Sequence, residues 1–218
     1  MILGNLLTLI VVLPIFIISI SLHEFMHAWA ADRLGDPTPR RMGRLTVNPK
    51  AHLDPVGLIM FVLSVLFGYF IGWAKPVPVN YFNFRHPRRD FAMVAISGPG
   101  ANFMQAVVWY VLFMGLKLVF PEPVIALRYL LEFVSYGVLI NVALIIFNLL
   151  PIPPLDGSRV LAWILPTRQA VVLDRMERYG FVILLLLLWI RVGGVSLLGL
   201  IFHPLLRVAL SLFPGLTV

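Results

Sequence analysis

Ile15-Phe16-Ile17-Ile18-Ser19-Ile20-Ser21-Leu22-His23-Glu24-Phe25-Met26-His27 is an apolar run that ends in a cluster of ionisable side chains. The run begins at Ile2, which places His23 roughly 30 Å along a helix. That is close to the far edge of a bilayer's hydrocarbon core. A charge at depth costs about 2.5–3.5 kcal/mol or more, so ionisable groups there read as functional by default. The competing reading is a helix end drifting into the interface, where His and Glu are tolerated.

Composition favours the membrane. Of 218 residues, 60% are hydrophobic and 12% charged, about half the charged share of a soluble domain. There is no Cys, which excludes a disulfide framework and any thiolate metal site. The net charge is +7. The basic residues fall between apolar runs, so they read as topology determinants and not as a nucleic-acid surface. The first run lacks a basic start and is long for a signal peptide, and is read as a retained helix.

Apolar runs occupy Ile2–Leu22, Val56–Trp73, Phe91–Phe120, Val124–Leu150, Phe181–Ile190 and Val195–Phe213. The first, third and fourth meet the ~20 residues a spanning helix needs, and the sixth is adequate. The fifth is read as a short or tilted span. The second holds Gly57, Gly68 and Gly72, and Val77–Tyr81 after it alternates like a strand. That strand suits either pairing with a substrate peptide or packing as a buried edge.

Basic clusters follow the first, second and fourth runs: Arg33, Arg40, Arg41, Arg44 and Lys50; then Lys75, Arg85, Arg88 and Arg89; then Arg159, Arg168, Arg175 and Arg178. The positive-inside rule puts all three in the cytosol. Val56–Trp73 then has cytosolic flanks on both sides and should dip in and return. The expected fold is an all-α polytopic membrane protein with about five spanning helices and one re-entrant segment bearing a short β-like stretch. Residues 1–218 form one domain, with C-terminal helices over about 170–213.

His23-Glu24-Phe25-Met26-His27 matches H-E-x-x-H. Imidazoles four residues apart share a helical face, and the intervening Glu sits where a metalloprotease keeps its general base. With five His and four Glu, chance supplies about 0.002 occurrences. A catalytic site needs a third protein ligand. The candidates are His52, Asp54, His86, Asp90, Glu122, Glu132, Asp156, Asp174, Glu177 and His203. Asp156 stands out at the end of Asn148-Leu149-Leu150-Pro151-Ile152-Pro153-Pro154-Leu155-Asp156-Gly157, where three prolines stop the helix and impose a rigid, extended segment. A plain Asp-Gly turn is the local alternative. Topology decides between them: only a re-entrant second run brings the fourth helix's end to the side of His27.

These residues, with Gly98-Pro99-Gly100-Ala101-Asn102, resemble the site-2 protease family of intramembrane metalloproteases. The stretches around Asn48-Pro49, His52, Asp54-Pro55 and Gly72 to Asn80 are similar to a compact prokaryotic subgroup without a PDZ domain. The resemblance covers residues 23 to 157. It implies one zinc ion held by His23, His27 and Asp156, Glu24 as base, Asn148 steadying the oxyanion, and Gly98 and Asn102 as a further element. Asn102 suits either an interhelical hydrogen bond near the site or a substrate contact.

The activity expected is hydrolysis of transmembrane substrates, locally unwound, at the cytosolic side of a prokaryotic cell membrane. The lipid bilayer is a partner and nucleic acid is not. A non-catalytic zinc binder would have no use for Glu24. A small zinc transporter would need a polar route through the outer halves of the helices, where only Glu122 and Glu132 are acidic. His52 and Asp54 are expected to hydrogen-bond structurally. His86 and His203 are given no role.

Overall fold

The structure, a computed structural model, describes residues 2–67, 71–120 and 125–216. Gly68, Glu122 and Val124 lie outside them. In chain order the helices are α1 (Ile2–Arg33), α2 (Thr38–Arg41), α3 (Pro55–Leu66), α4 (Pro87–Val119), α5 (Ile125–Asn148), α6 (Asp156–Ile164), α7 (Thr167–Met176), α8 (Gly180–Trp189) and α9 (Leu197–Leu210). A two-stranded hairpin, β1 (Arg191–Val192) and β2 (Val195–Ser196), joins the last two.

Among the described residues three helices are long and apolar enough to cross a membrane: α1, α4 and α5. They pack on one another in antiparallel succession. The chain is a mostly helical membrane protein. At ten and fourteen residues, α8 and α9 extend only about 15 and 21 Å, short of a hydrocarbon core of about 30 Å.

The second apolar run leaves and comes back. α3 is twelve residues, roughly 18 Å long. Leu53 before it bridges Ala74 after it, and the Lys75 N–H donates to His52 O at 2.8 Å. The Ser64 hydroxyl accepts the Ile71 N–H at 2.8 Å. Gly57 lets the returning chain lie on α3, because a β-carbon there would sit 2.9 Å from Trp73 Cδ1. Phe61 of α3 stacks on Phe16 of α1, with ring centroids 3.8 Å apart, within a core that includes Val12, Ile15, Ile20, Val65 and Ile140. Asp54 caps α3 by accepting the Gly57 N–H at 2.8 Å. His52 is fully buried, with Nε2 2.7 Å from Thr46 O.

Two local expectations are corrected. Val77–Tyr81 is not a strand: Ala74 alone makes a bridge, and Tyr81–Asn83 is a 3-10 turn. Pro76 and Pro78 bring no N–H to a ladder, and the N–H groups of Val77 and Asn80 go to the carboxylates of Glu24 and Asp36 instead. The β structure lies at Gly193-Gly194, both at positive φ, as a two-residue hairpin turn requires. The second correction concerns the proline segment. It is a series of tight turns, with Ile152 N–H donating to Leu150 O and Leu155 N–H to Ile152 O. Asp156 is the first residue of a helix and not the end of an extended strand.

Candidate metal centre

Three ligand atoms converge where α1, α4 and α6 meet. The Nε2 atoms of His23 and His27 are 2.9 Å apart, and each lies 3.3 Å from Asp156 Oδ2. The helical spacing of four residues stacks the two imidazoles on one face of α1. The turns of the proline segment place Asp156 opposite them.

The outer atoms of both rings face acceptors. His27 Nδ1 is 2.8 Å from Val94 O, and a carbonyl can only accept, so Nδ1 carries the hydrogen. His23 Nδ1 is 2.6 Å from Asn102 Oδ1. The orientation of that amide is fixed by its nitrogen, which donates to Asn141 Oδ1 at 2.9 Å and toward Ser19 O at 3.4 Å. In the neutral rings, both Nε2 atoms therefore present lone pairs to each other and to a carboxylate. Asp156 Oδ2 is itself buried without a hydrogen-bond donor.

Three facing lone pairs repel unless they share a cation. Tetrahedral ligands about 2.0–2.1 Å from an ion sit about 3.3–3.4 Å from one another; the two edges to Asp156 match this at 3.3 Å, and the edge between the imidazoles is shorter at 2.9 Å. The donor set of two imidazoles and one carboxylate, with its outer hydrogen bonds in place, fits a divalent ion.

Gly98 makes the approach possible. A β-carbon at that position would lie 2.6 Å from His23 Cε1 and closer still to His27 Nε2. Asn102 is fully buried, and Asn141 and Ser19 are buried with it. Asn141 donates to the Ser19 hydroxyl at 2.9 Å. The sequence reading passed over Asn141 and Ser19; a polar Asn midway along an apolar helix was the available signal.

Glu24 is 8% exposed. Its Oε2 accepts the Val77 N–H at 3.0 Å. The buried guanidinium of Arg44, which the sequence marks only as one of a basic cluster, donates to Pro76 O at 3.1 Å and to Lys75 O. Residues 75–77 are thus held from two sides, by Glu24 of α1 and by Arg44 beyond α2. Asp36 ties the next stretch, accepting from Asn80 N–H and Asn83 Nδ2, both at 2.7 Å. Asn148 is the last residue of α5, and its amide donates to Leu144 O at 2.9 Å within its own helix. Among the other third-ligand candidates, Asp90 caps α4 by accepting the His86 N–H at 2.9 Å, and Asp174 and Glu177 pair with Arg159.

The model of peptidase family M50 matches residues 116–190. YwhC of Bacillus subtilis, named as a candidate zinc metalloprotease, is 37% identical over 205 residues, covering 87% of this chain and 91% of that one. Rip2 of Mycolicibacterium smegmatis, named in the same way, is 31% identical over 182 residues, 82% of this chain and 66% of that protein. MJ0611 of Methanocaldococcus jannaschii, likewise named, is 33% identical over 109 residues, about half of each chain. No solved structure gives a significant match.

Proposed function

The chain belongs to peptidase family M50, the site-2 protease family, as a zinc-dependent membrane protease, and from that membership we propose that it hydrolyses transmembrane protein substrates at the cytosolic side of the bilayer, with His23, His27 and Asp156 holding one zinc ion. The observation that carries this reading is the convergence of two imidazole lone pairs and an undonated carboxylate oxygen.

Zinc held there supplies Lewis acidity, polarising a carbonyl and acidifying water. The remaining work falls to the chain. Glu24 takes a proton on its carboxylate and returns it to the departing amine. The Val77 N–H at Oε2 keeps that carboxylate oriented. Asn148 turns its amide from Leu144 O toward the developing oxyanion, an interaction of a few kcal/mol in such sites. Asn102 and Val94 hold the imidazole rings in the tautomer that leaves Nε2 free. The substrate helix must unwind to offer its peptide bond, because a helical backbone has no free carbonyl at this depth.

The cytosolic assignment is supported by charge. Arg40 pairs with Asp32 near the end of α1, Arg88 of α4 reaches α6, and Arg159 lies over Phe91. All three basic clusters thus gather at the end of the bundle that holds the triad, as the positive-inside rule requires of a cytosolic face. In this topology residues 1–218 are one domain. α1, α4 and α5 cross, the run Val56–Trp73 enters and returns, and α8 and α9 are two short crossings that need a locally thinned bilayer. The surrounding membrane is a prokaryotic cell membrane.

The test uses purified protein in detergent with a model transmembrane substrate and a measured zinc content. Glu24→Gln is expected to retain zinc and lose cleavage by a factor of at least about 10². Wild-type cleavage by that variant would overturn the mechanism.

A further inference from the structure

α6 is nine residues long, below the ~12–15 at which an isolated helix holds in water. Its first residue is Asp156, so whatever fixes this short rod fixes the carboxylate. The last carbonyls of a helix need donors from outside it. Leu161 O receives the Leu165 N–H. The carbonyls of Ala162, Trp163 and Leu165 all turn to one group, the guanidinium of Arg88 in the first turn of α4. Its Nη2 donates to Ala162 O, lies 2.6 Å from Leu165 O and 3.5 Å from Trp163 O. Its Nη1 is 3.3 Å from the Thr167 hydroxyl.

One nitrogen of the planar fork serves the carbonyls while the other reaches the Thr167 hydroxyl, a pair of contacts that the one nitrogen of an ammonium cannot make in the same geometry. A cation at this end also complements the helix dipole. One turn further along α4, Phe91 lies under Arg159 of α6, 4.9 Å from ring centroid to Cζ. α4 therefore grips α6 at its middle and at its far end, with Asp156 at the near end.

We infer that Arg88 is a positioning residue for the metal: by capping α6 it sets the height of Asp156 against the two imidazoles. The inference rests on Asp156 being the third ligand. It gives a basic residue that otherwise reads only as a topology signal a defined role in metal affinity.

Zinc affinity is measured on the purified full chain in detergent, by competition with a chromogenic chelator, in a two-by-two cycle of Arg88→Met and Asp156→Ala. Arg88→Met is expected to weaken zinc binding about 10–100-fold, the usual effect of losing a partner that orients a ligand. In the Asp156→Ala background it should cost nothing further, because its effect passes through that carboxylate. A purely structural role would weaken binding by the same factor in both backgrounds and overturns the inference, as does wild-type affinity in Arg88→Met. If Arg88→Met does not fold, Arg88→Lys decides. It keeps the charge and loses the fork, so a smaller loss confined to the Asp156 background is expected, and unchanged affinity overturns the inference. If Asp156→Ala alone leaves affinity unchanged, the ligand reading itself has failed.

Discussion

Asn102 Oδ1 and His23 Nδ1 lie 2.6 Å apart, joining residues 79 positions distant in the chain. The contact fixes which ring nitrogen of His23 is free. Removing it in Asn102→Ala should weaken zinc affinity about 10–100-fold. Asn102→Asp keeps the acceptor for His23 and loses the donor to Asn141, so zinc affinity should be largely retained while the unfolding temperature falls. Chelator competition and thermal unfolding in detergent separate the two effects.

Gly98 offers a steric test. Glycine costs a helix about 1 kcal/mol relative to alanine, so Gly98→Ala would stabilise an ordinary helix. Here the added methyl would overlap both imidazoles. Zinc affinity should fall by at least about tenfold, with overpacking strain of roughly 1–3 kcal/mol. A variant that binds zinc normally and melts higher would show that the rings do not lie against α4 as described.

Asp36 predicts a pH dependence away from the metal. Burial would raise its carboxyl, but the hydroxyl and N–H of Thr38, the Asn83 amide and the Asn80 N–H outweigh it and hold the group below the usual carboxylate range. A depressed folded value means that the stabilisation is present above the unfolded carboxyl's titration, near pH 4, and is lost as pH falls through the folded value. Asp36→Asn should destabilise by about 1–3 kcal/mol at neutral pH, since donors lose a charged acceptor. Its unfolding temperature should also vary less than wild type's below about pH 4. Equal acid sensitivity of the two proteins counts against the assignment.

The chain contains no Cys, so single cysteines report topology without background. Lys50→Cys and Arg85→Cys flank the returning segment and should react with a membrane-impermeant maleimide from the same side. Lys117→Cys, at the far end of α4, should react from the opposite side. Labelling of Lys50→Cys and Arg85→Cys from opposite faces would mean that the run Val56–Trp73 crosses.

Much of this was legible in sequence because it is local. The spacing of His23 and His27 places two rings on one helix face without any tertiary information. The basic residues on both sides of Val56–Trp73 led to the expectation of a return, and Leu53 before that run does pair with Ala74 after it. What sequence could not supply was register between helices. Nothing in α1 says that Val94, Gly98 and Asn102 of α4 lie beside its two imidazoles, nor that Asn141 of α5 stands behind Asn102. The expected strand at Val77–Tyr81 followed from alternation alone. Its N–H donors were claimed by Glu24 and Asp36, carboxylates 53 and 44 positions away. The three prolines before Asp156 suggested an extended rod because each favours extended backbone; their tight turns instead deliver Asp156 into the start of a helix.

The contacts that set the three candidate ligands share one stripe of α4. Arg88, Phe91, Val94, Gly98 and Asn102 follow at offsets of three, three, four and four, and between them they touch α6, His27 and His23. One face of one helix thus backs two side chains of α1 and the rod that carries Asp156, so the three share a single support although they come from two other helices. Glu24 is tethered to the chain at Val77, outside that stripe. Glu24 nevertheless stands between the two imidazoles on α1, so it shares their displacements, and the Val77 hydrogen bond makes the returning segment follow it.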